Sequence, residues 1–179
     1  MNHRSGCPIN LSIEVLGDRW SVIVLRDMMF GNRRSYGELL ANSLEGIATN
    51  ILAARLKHLE AEGLISVADD PRHKQKRIYS LTDKAIALLP IMVQLGAWGL
   101  RYMPVAPELA IRARLLEEGG QQMWTDFMAE LRHLHLGVPP SASGRSVFAE
   151  LQAAYLREQE RTTADLQTTS PPRQISTVP

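Results

Sequence analysis

The chain has 179 residues, 45% of them hydrophobic, and a formal net charge of +1. That length suits one domain with an extension or two small ones, with apolar residues enough for a core, and so low a net charge does not announce nucleic-acid binding. A single cysteine, Cys7, excludes an internal disulfide, and neither a signal peptide in MNHRSGCPIN nor a membrane-spanning run is expected, which points to a reducing cytoplasm and no membrane.

Ile9, Leu11, Ile13, Val15 and Leu16 predict a short first helix with Pro8 near its start. Gly17-Asp18 breaks it, and Asp18 can cap an apolar second helix over 19–30, carrying Trp20, Ile23, Val24 and Met28 and ended by Gly31-Asn32. Ser35 caps a third helix from Tyr36 to Ala41, with Glu38 at capping-box spacing. A loop over 42–46 leads to a fourth helix, where Leu52, Leu56 and Leu59 recur at steps of four and three and Ile51 broadens the stripe. The opposite face carries Thr49, Asn50, Ala53, Ala54, Lys57 and His58, which are small, polar or basic. Gly63 fits a left-handed C-cap.

Two strands follow, Leu64-Ile65-Ser66-Val67 and Arg77-Ile78-Tyr79-Ser80-Leu81, around the tip DDPRHKQK. Arg72, His73, Lys74, Lys76 and Arg77 crowd this tip. Taken alone, such a run is a solvated loop. Directly after a small-faced amphipathic helix, it reads as the charged wing of a winged helix. Thr82-Asp83 then caps a long helix over 83–102 that Pro90 should kink or break. Its apolar residues cover more than one stripe, so packing against a symmetry mate is expected, hence a homodimer suited to palindromic half-sites.

Charge is unevenly placed. Through residue 101 there are 13 Lys and Arg against 10 Asp and Glu, and beyond it 7 against 9. The basic excess therefore sits with the winged helix, where double-stranded DNA is the expected partner. Arg33, Arg34 and Ser35 would meet phosphates. Thr49, Asn50, Ala53 and Lys57 would face the major groove, where Asn can bond bidentately to adenine and small residues permit close approach. Arg72, Lys74, Lys76 and Arg77 would contact the flanking backbone, which positions without specifying.

CPINLSIEVLGDRWSVIVLRDMMFGNRRSYGELL, GIATNILAARLKHLEAEGLI and RIYSLTDKAIALLPIMVQLGAWG together resemble the HxlR family of MarR-like winged-helix regulators, over about residues 7 to 101. The elements agree in order: Cys-Pro, Gly-Asp-Arg-Trp, Arg-Leu-Lys-x-Leu-Glu, Tyr-Ser-Leu-Thr and a terminal Trp-Gly. The resemblance implies a dimeric cytoplasmic repressor or activator whose first and last helices build the dimer interface. Family members often carry polar residues where this chain has Ala53 and Ala54, which leaves fewer direct base contacts. The resemblance also implies oxidant or electrophile sensing through Cys7, whose thiolate His3, Arg4 or the first helix's positive end would favour. A small buried hydrophobe is the other reading of Cys7.

The expected fold is mainly α with a small two-stranded β-wing, a winged helix-turn-helix plus a C-terminal helical extension. Residues 7–102 form the DNA-binding and dimerisation domain and 103–166 the extension, with helices over 108–118, 121–136 and 145–166 and a linker over 137–144. Residues 167–179 form a disordered tail. A Met123, Trp124, Phe127, Met128 and Leu131 stripe reads as core before ligand pocket. A small-molecule or oxidant effector is an expected partner of unassigned site. No cofactor is expected, nor a metal, because His133 and His135 lie on different helix faces and Asp69-Asp70 reads as turn chemistry. Trp20 and Trp98 read as core or interface. No nucleophile elbow, phosphate loop or paired-carboxylate motif supports an enzyme. The competing readings are a winged-helix protein-interaction module, docking through Ala53 and Ala54, and a regulator that senses a small ligand through the C-terminal helices.

Overall fold

A computed structural model of the chain describes residues 5–71, 73–140 and 144–169. Helix α1 (Pro8–Leu16) begins with proline in its first turn, where a missing N–H costs nothing. Asp18 starts α2 (Arg19–Gly31) by accepting the Trp20 and Ser21 N–H groups at 3.0 and 2.9 Å. Asn32 ends it in the left-handed region, φ 47°. At α3 (Tyr36–Ala41) both halves of the Ser35–Glu38 capping box form.

Helix α4 (Thr49–Ala61) packs Leu52, Leu56 and Leu59 inward. Gly63, at φ 66°, closes it, with Gly63 N–H bonded to Glu60 O and Leu64 N–H to Leu59 O. This pair of bonds is a Schellman motif, and Leu59 and Leu64 are both buried beneath it. Strands β1 (Ile65–Asp70) and β2 (His73–Leu81) pair antiparallel, from Ile65 opposite Leu81 to Asp69 opposite Arg77. Both strands run further into the charged tip than their composition predicts, because backbone pairing continues there. An irregularity between Asp69 and Asp70 then brings Asp70 opposite His73.

The long helix expected over 83–102 is divided into α5 (Asp83–Ile86) and α6 (Leu89–Tyr102). Thr82 Oγ1 caps α5 by accepting the Ala85 N–H, and Pro90 falls in the first turn of α6. Taken together, Asp83–Tyr102 is long and apolar enough to cross a membrane, which corrects the sequence expectation of no such run. The break at Ala87-Leu88 and the burial of Ala85, Ile86, Leu89, Val93 and Ala97 fit a core-packing segment instead.

Helix α7 (Pro107–Leu136) is broken at Gly120, whose φ 59° and ψ −162° suit only glycine. Its two parts match the two helices expected there. Glu130 reaches across to start α8 (Val147–Thr169), accepting the Phe148 N–H at 3.0 Å. Helix α8 runs through Thr169, three residues into the expected tail; residues 170–179 and 141–143 of the expected linker lie outside the described residues.

One continuous core joins Leu25, Met28 and Met29 of α2, the α4 leucines, Leu89 and Val93 of α6, Met123, Phe127 and Leu131 of α7, and Val147 and Leu151 of α8. The aromatic stripe of the extension is therefore core, with Phe127 ringed against Phe30 at 5.8 Å.

Candidate nucleic-acid interface

The two faces of α4 are chemically opposed. Its leucine stripe is buried, while Thr49, Asn50, Ala53, Ala54 and Lys57 are exposed on one surface. Tyr36 of α3 donates its hydroxyl to Thr49 O at 2.9 Å, which fixes the first turn of α4 against the preceding helix. No side chain caps the N-terminus of α4, since Ala48 holds that position. His58 is the exception to the expected polar face: it is half-buried, with Nε2 against Val15 O at 2.9 Å. Arg55 turns the same way, toward Asp18 at 3.0 Å.

In the wing, Lys76 and Arg77 are exposed. Lys76 Nζ lies 3.8 Å from Glu38 Oε1. Burial alone would raise the Glu38 carboxyl, but the Arg34 and Ser35 N–H groups and the Lys76 charge together hold it below its ordinary value. Arg72 and the Lys74 side chain lie outside the described residues.

The three residues before α3 do other work. Ser35 is buried and its hydroxyl caps α3. Arg33 pairs with Asp27 at 2.9 Å and donates to Asn42 O. Arg34 turns inward, donating from Nε to Tyr79 O, from Nη1 to Leu134 O and from Nη2 to Ser80 Oγ. Burial lowers its pKa from the ordinary guanidinium value. Beside it, buried His135 accepts the Leu81 N–H at Nδ1. Burial first, then the Arg34 charge, push the His135 pKa down to about 4, so its ring is neutral near pH 7. No local pattern signals this Arg34–His135 junction between wing and extension.

Cys7 is exposed at the N-cap of α1. Its neighbours His3 and Arg4, invoked for thiolate formation, lie outside the described residues. Among the described residues no cluster of three His, Cys, Asp or Glu could hold a metal ion.

Residues 15–107 match the model of the HxlR-like helix-turn-helix family. The chain is 34% identical over 93 residues to the uncharacterised HTH-type transcriptional regulator sll1512 of Synechocystis, spanning 52% of this chain and 67% of that protein. It is 31% identical over 104 residues to the uncharacterised HTH-type transcriptional regulator YvaP of Bacillus subtilis, spanning 58% and 94%. The crystal structure of PA1607, a proposed transcription factor, superposes with a TM-score of 0.52 at 34% identity, covering 57% of this chain and 69% of that one. The family match ends where α7 begins, so the extension is additional to it. With the winged helix in place and half its length matched, the chain belongs to the HxlR-like helix-turn-helix family and is a transcriptional regulator with a helix-turn-helix DNA-binding domain.

Proposed function

We propose that the protein acts in the cytoplasm as a homodimer on a palindromic operator, and not as an enzyme. Helix α4 reads the major groove through Thr49, Asn50, Ala53 and Lys57, while Lys76 and Arg77, with Arg72 and Lys74, hold the flanking backbone. The observation that carries this reading is the exposed small and polar face of α4 over a fully packed leucine stripe. Such a helix presents base-reading groups from a rigid support. Residues 7–102 serve as the DNA-binding and dimerising unit, and 103–166 form a helical extension to it.

The dimer surface is assigned to α1 and α6. Ile91, Leu95, Trp98 and Tyr102 form an exposed stripe along α6, and Ile9 and Ile13 one along α1. Fully burying a large apolar side chain stabilises by roughly 1.5–3 kcal/mol, so a second copy covering these six gains substantially. Cys7, exposed at the start of α1, would report oxidation across that contact.

Purified protein titrated onto a labelled duplex from its own upstream region, beside random duplex and with or without diamide, tests the reading. Preferential binding is expected, altered by diamide in the parent and unaltered in Cys7→Ser. Equal affinity for all duplexes, repeated after genome-wide site selection, would leave the protein-interaction module as the better reading.

A further inference from the structure

Between α2, α6 and the first part of α7 lies a cleft of about 630 Å³. That size is in the range of small-molecule sites. Its walls are largely apolar, from Val22, Phe30, Met92, Val93 and Leu116, yet three guanidinium groups line it against two carboxylates. Arg26 is held by Glu45 at 2.6 Å and by Asp27 at 2.8 Å, and Arg33 by Asp27 at 2.9 Å. Arg112 pairs with no carboxylate among the described residues. It donates to Gln152 Oε1 at 2.7 Å and lies over the Tyr155 ring at 4.2 Å, and its buried Nε bonds nothing among the described residues. Burial, eased by Tyr155 and reinforced by the nearby Arg33 charge, lowers its pKa. A half-buried cation without a counter-charge beside an apolar cavity is a poor structural element and a good anchor for an anion.

We propose that this cleft is an effector site for a small apolar monocarboxylate, whose carboxylate pairs with Arg112 and whose hydrocarbon body fills the space between α2, α6 and α7. The wall opposite explains how occupancy reaches DNA. Leu44 and Glu45 line the cleft and belong to the loop that delivers the chain into α4. A carboxylate at Arg112 and Arg33 competes with Asp27, disturbs the Arg26–Asp27–Glu45 set and so moves the entry to the recognition helix. The effector role rests on the DNA-binding reading; the binding itself does not.

The test is calorimetric titration of 1-naphthoate, with its uncharged analogue 1-naphthalenemethanol, into the full chain. One naphthoate per chain is expected, with the alcohol at least about tenfold weaker, which is roughly 1.4 kcal/mol. Arg112→Gln should cost naphthoate a similar factor. Because Arg112 also supports α8, Ala113→Phe serves as the second variant: it fills the cleft, leaves Arg112 in place and should abolish binding. Equal affinity for acid and alcohol, unchanged affinity in Ala113→Phe, or no binding at about millimolar concentration would overturn the site. Naphthoate that binds but leaves the affinity for specific duplex unchanged would overturn the effector role. A protein that binds naphthoate and no duplex at all would instead overturn the DNA-binding reading.

Discussion

Arg34 donates through Nη1 to the carbonyl oxygen of Leu134 at 2.7 Å, tying the entry of α3 to the end of α7 across 100 residues of sequence. The same guanidinium holds Tyr79 O and Ser80 Oγ of β2, so one side chain joins helix-turn-helix, wing and extension. Arg34→Met should therefore destabilise the fold by roughly 2 kcal/mol, since partly buried carbonyls lose a charged donor. Urea unfolding would measure it. A variant of unchanged stability with a shallower salt dependence of DNA binding would instead make Arg34 a phosphate contact.

That junction is also where the sequence was least legible. The caps at Asp18, Ser35 and Thr82, the left-handed Gly63 and the break near Gly120 are decided by residues a few positions apart, and each was readable. Arg34 and His135 meet partners 45 to 100 and 54 positions away, with no local pattern to betray them. Ser35 and Arg33 looked like phosphate ligands because their chemistry permits it; burial and Asp27 engage them elsewhere. His58 shares the small polar face on a helical wheel, yet the position of α1 draws it inward. The face of α4 and the apolar cover of α6 followed from periodicity alone. The Arg112 cleft did not, because α2, α6 and α7 converge only in space.

The division of labour on DNA can be separated by two substitutions. Asn50→Ala should relax sequence preference, losing roughly 1–3 kcal/mol of discrimination at one base pair. Lys76→Ala should weaken binding to all duplexes alike and flatten the slope of log affinity against log salt by about one. Fluorescence anisotropy across a salt series and a mutated-operator set reads both. Intact preference in Asn50→Ala would place α4 differently in the groove.

Trp98 packs at a tilt against Tyr102, ring centroids 5.4 Å apart, and is 49% exposed in the single chain. Trp98→Glu should leave the monomer fold intact and introduce two unpaired charges into the proposed dimer contact, one from each copy. Sedimentation should then report monomer where the parent is dimeric, with operator affinity reduced because two half-sites are no longer read together. A variant that stays dimeric would put the interface on another face.

His135 makes stability depend on pH in a window set by its own shift, from the ordinary value 6.5 to about 4 in the folded chain. Above pH 6.5 neither state holds the proton. As pH falls, the unfolded chain binds it first, so stability is lost progressively, by roughly 3 kcal/mol in all. Near pH 4 the folded state protonates too and this loss levels off. Depressed carboxylates such as Asp18, Glu38 and Glu45 add their own losses, but only below the ordinary Glu value of 4.5. Urea midpoints taken between pH 7 and 5 therefore isolate the histidine. His135→Gln, which keeps a side-chain acceptor for the Leu81 N–H but cannot titrate, should flatten the curve there while changing stability at pH 7 much less. A curve of unchanged slope in that variant would mean that the ring is not held neutral by its surroundings.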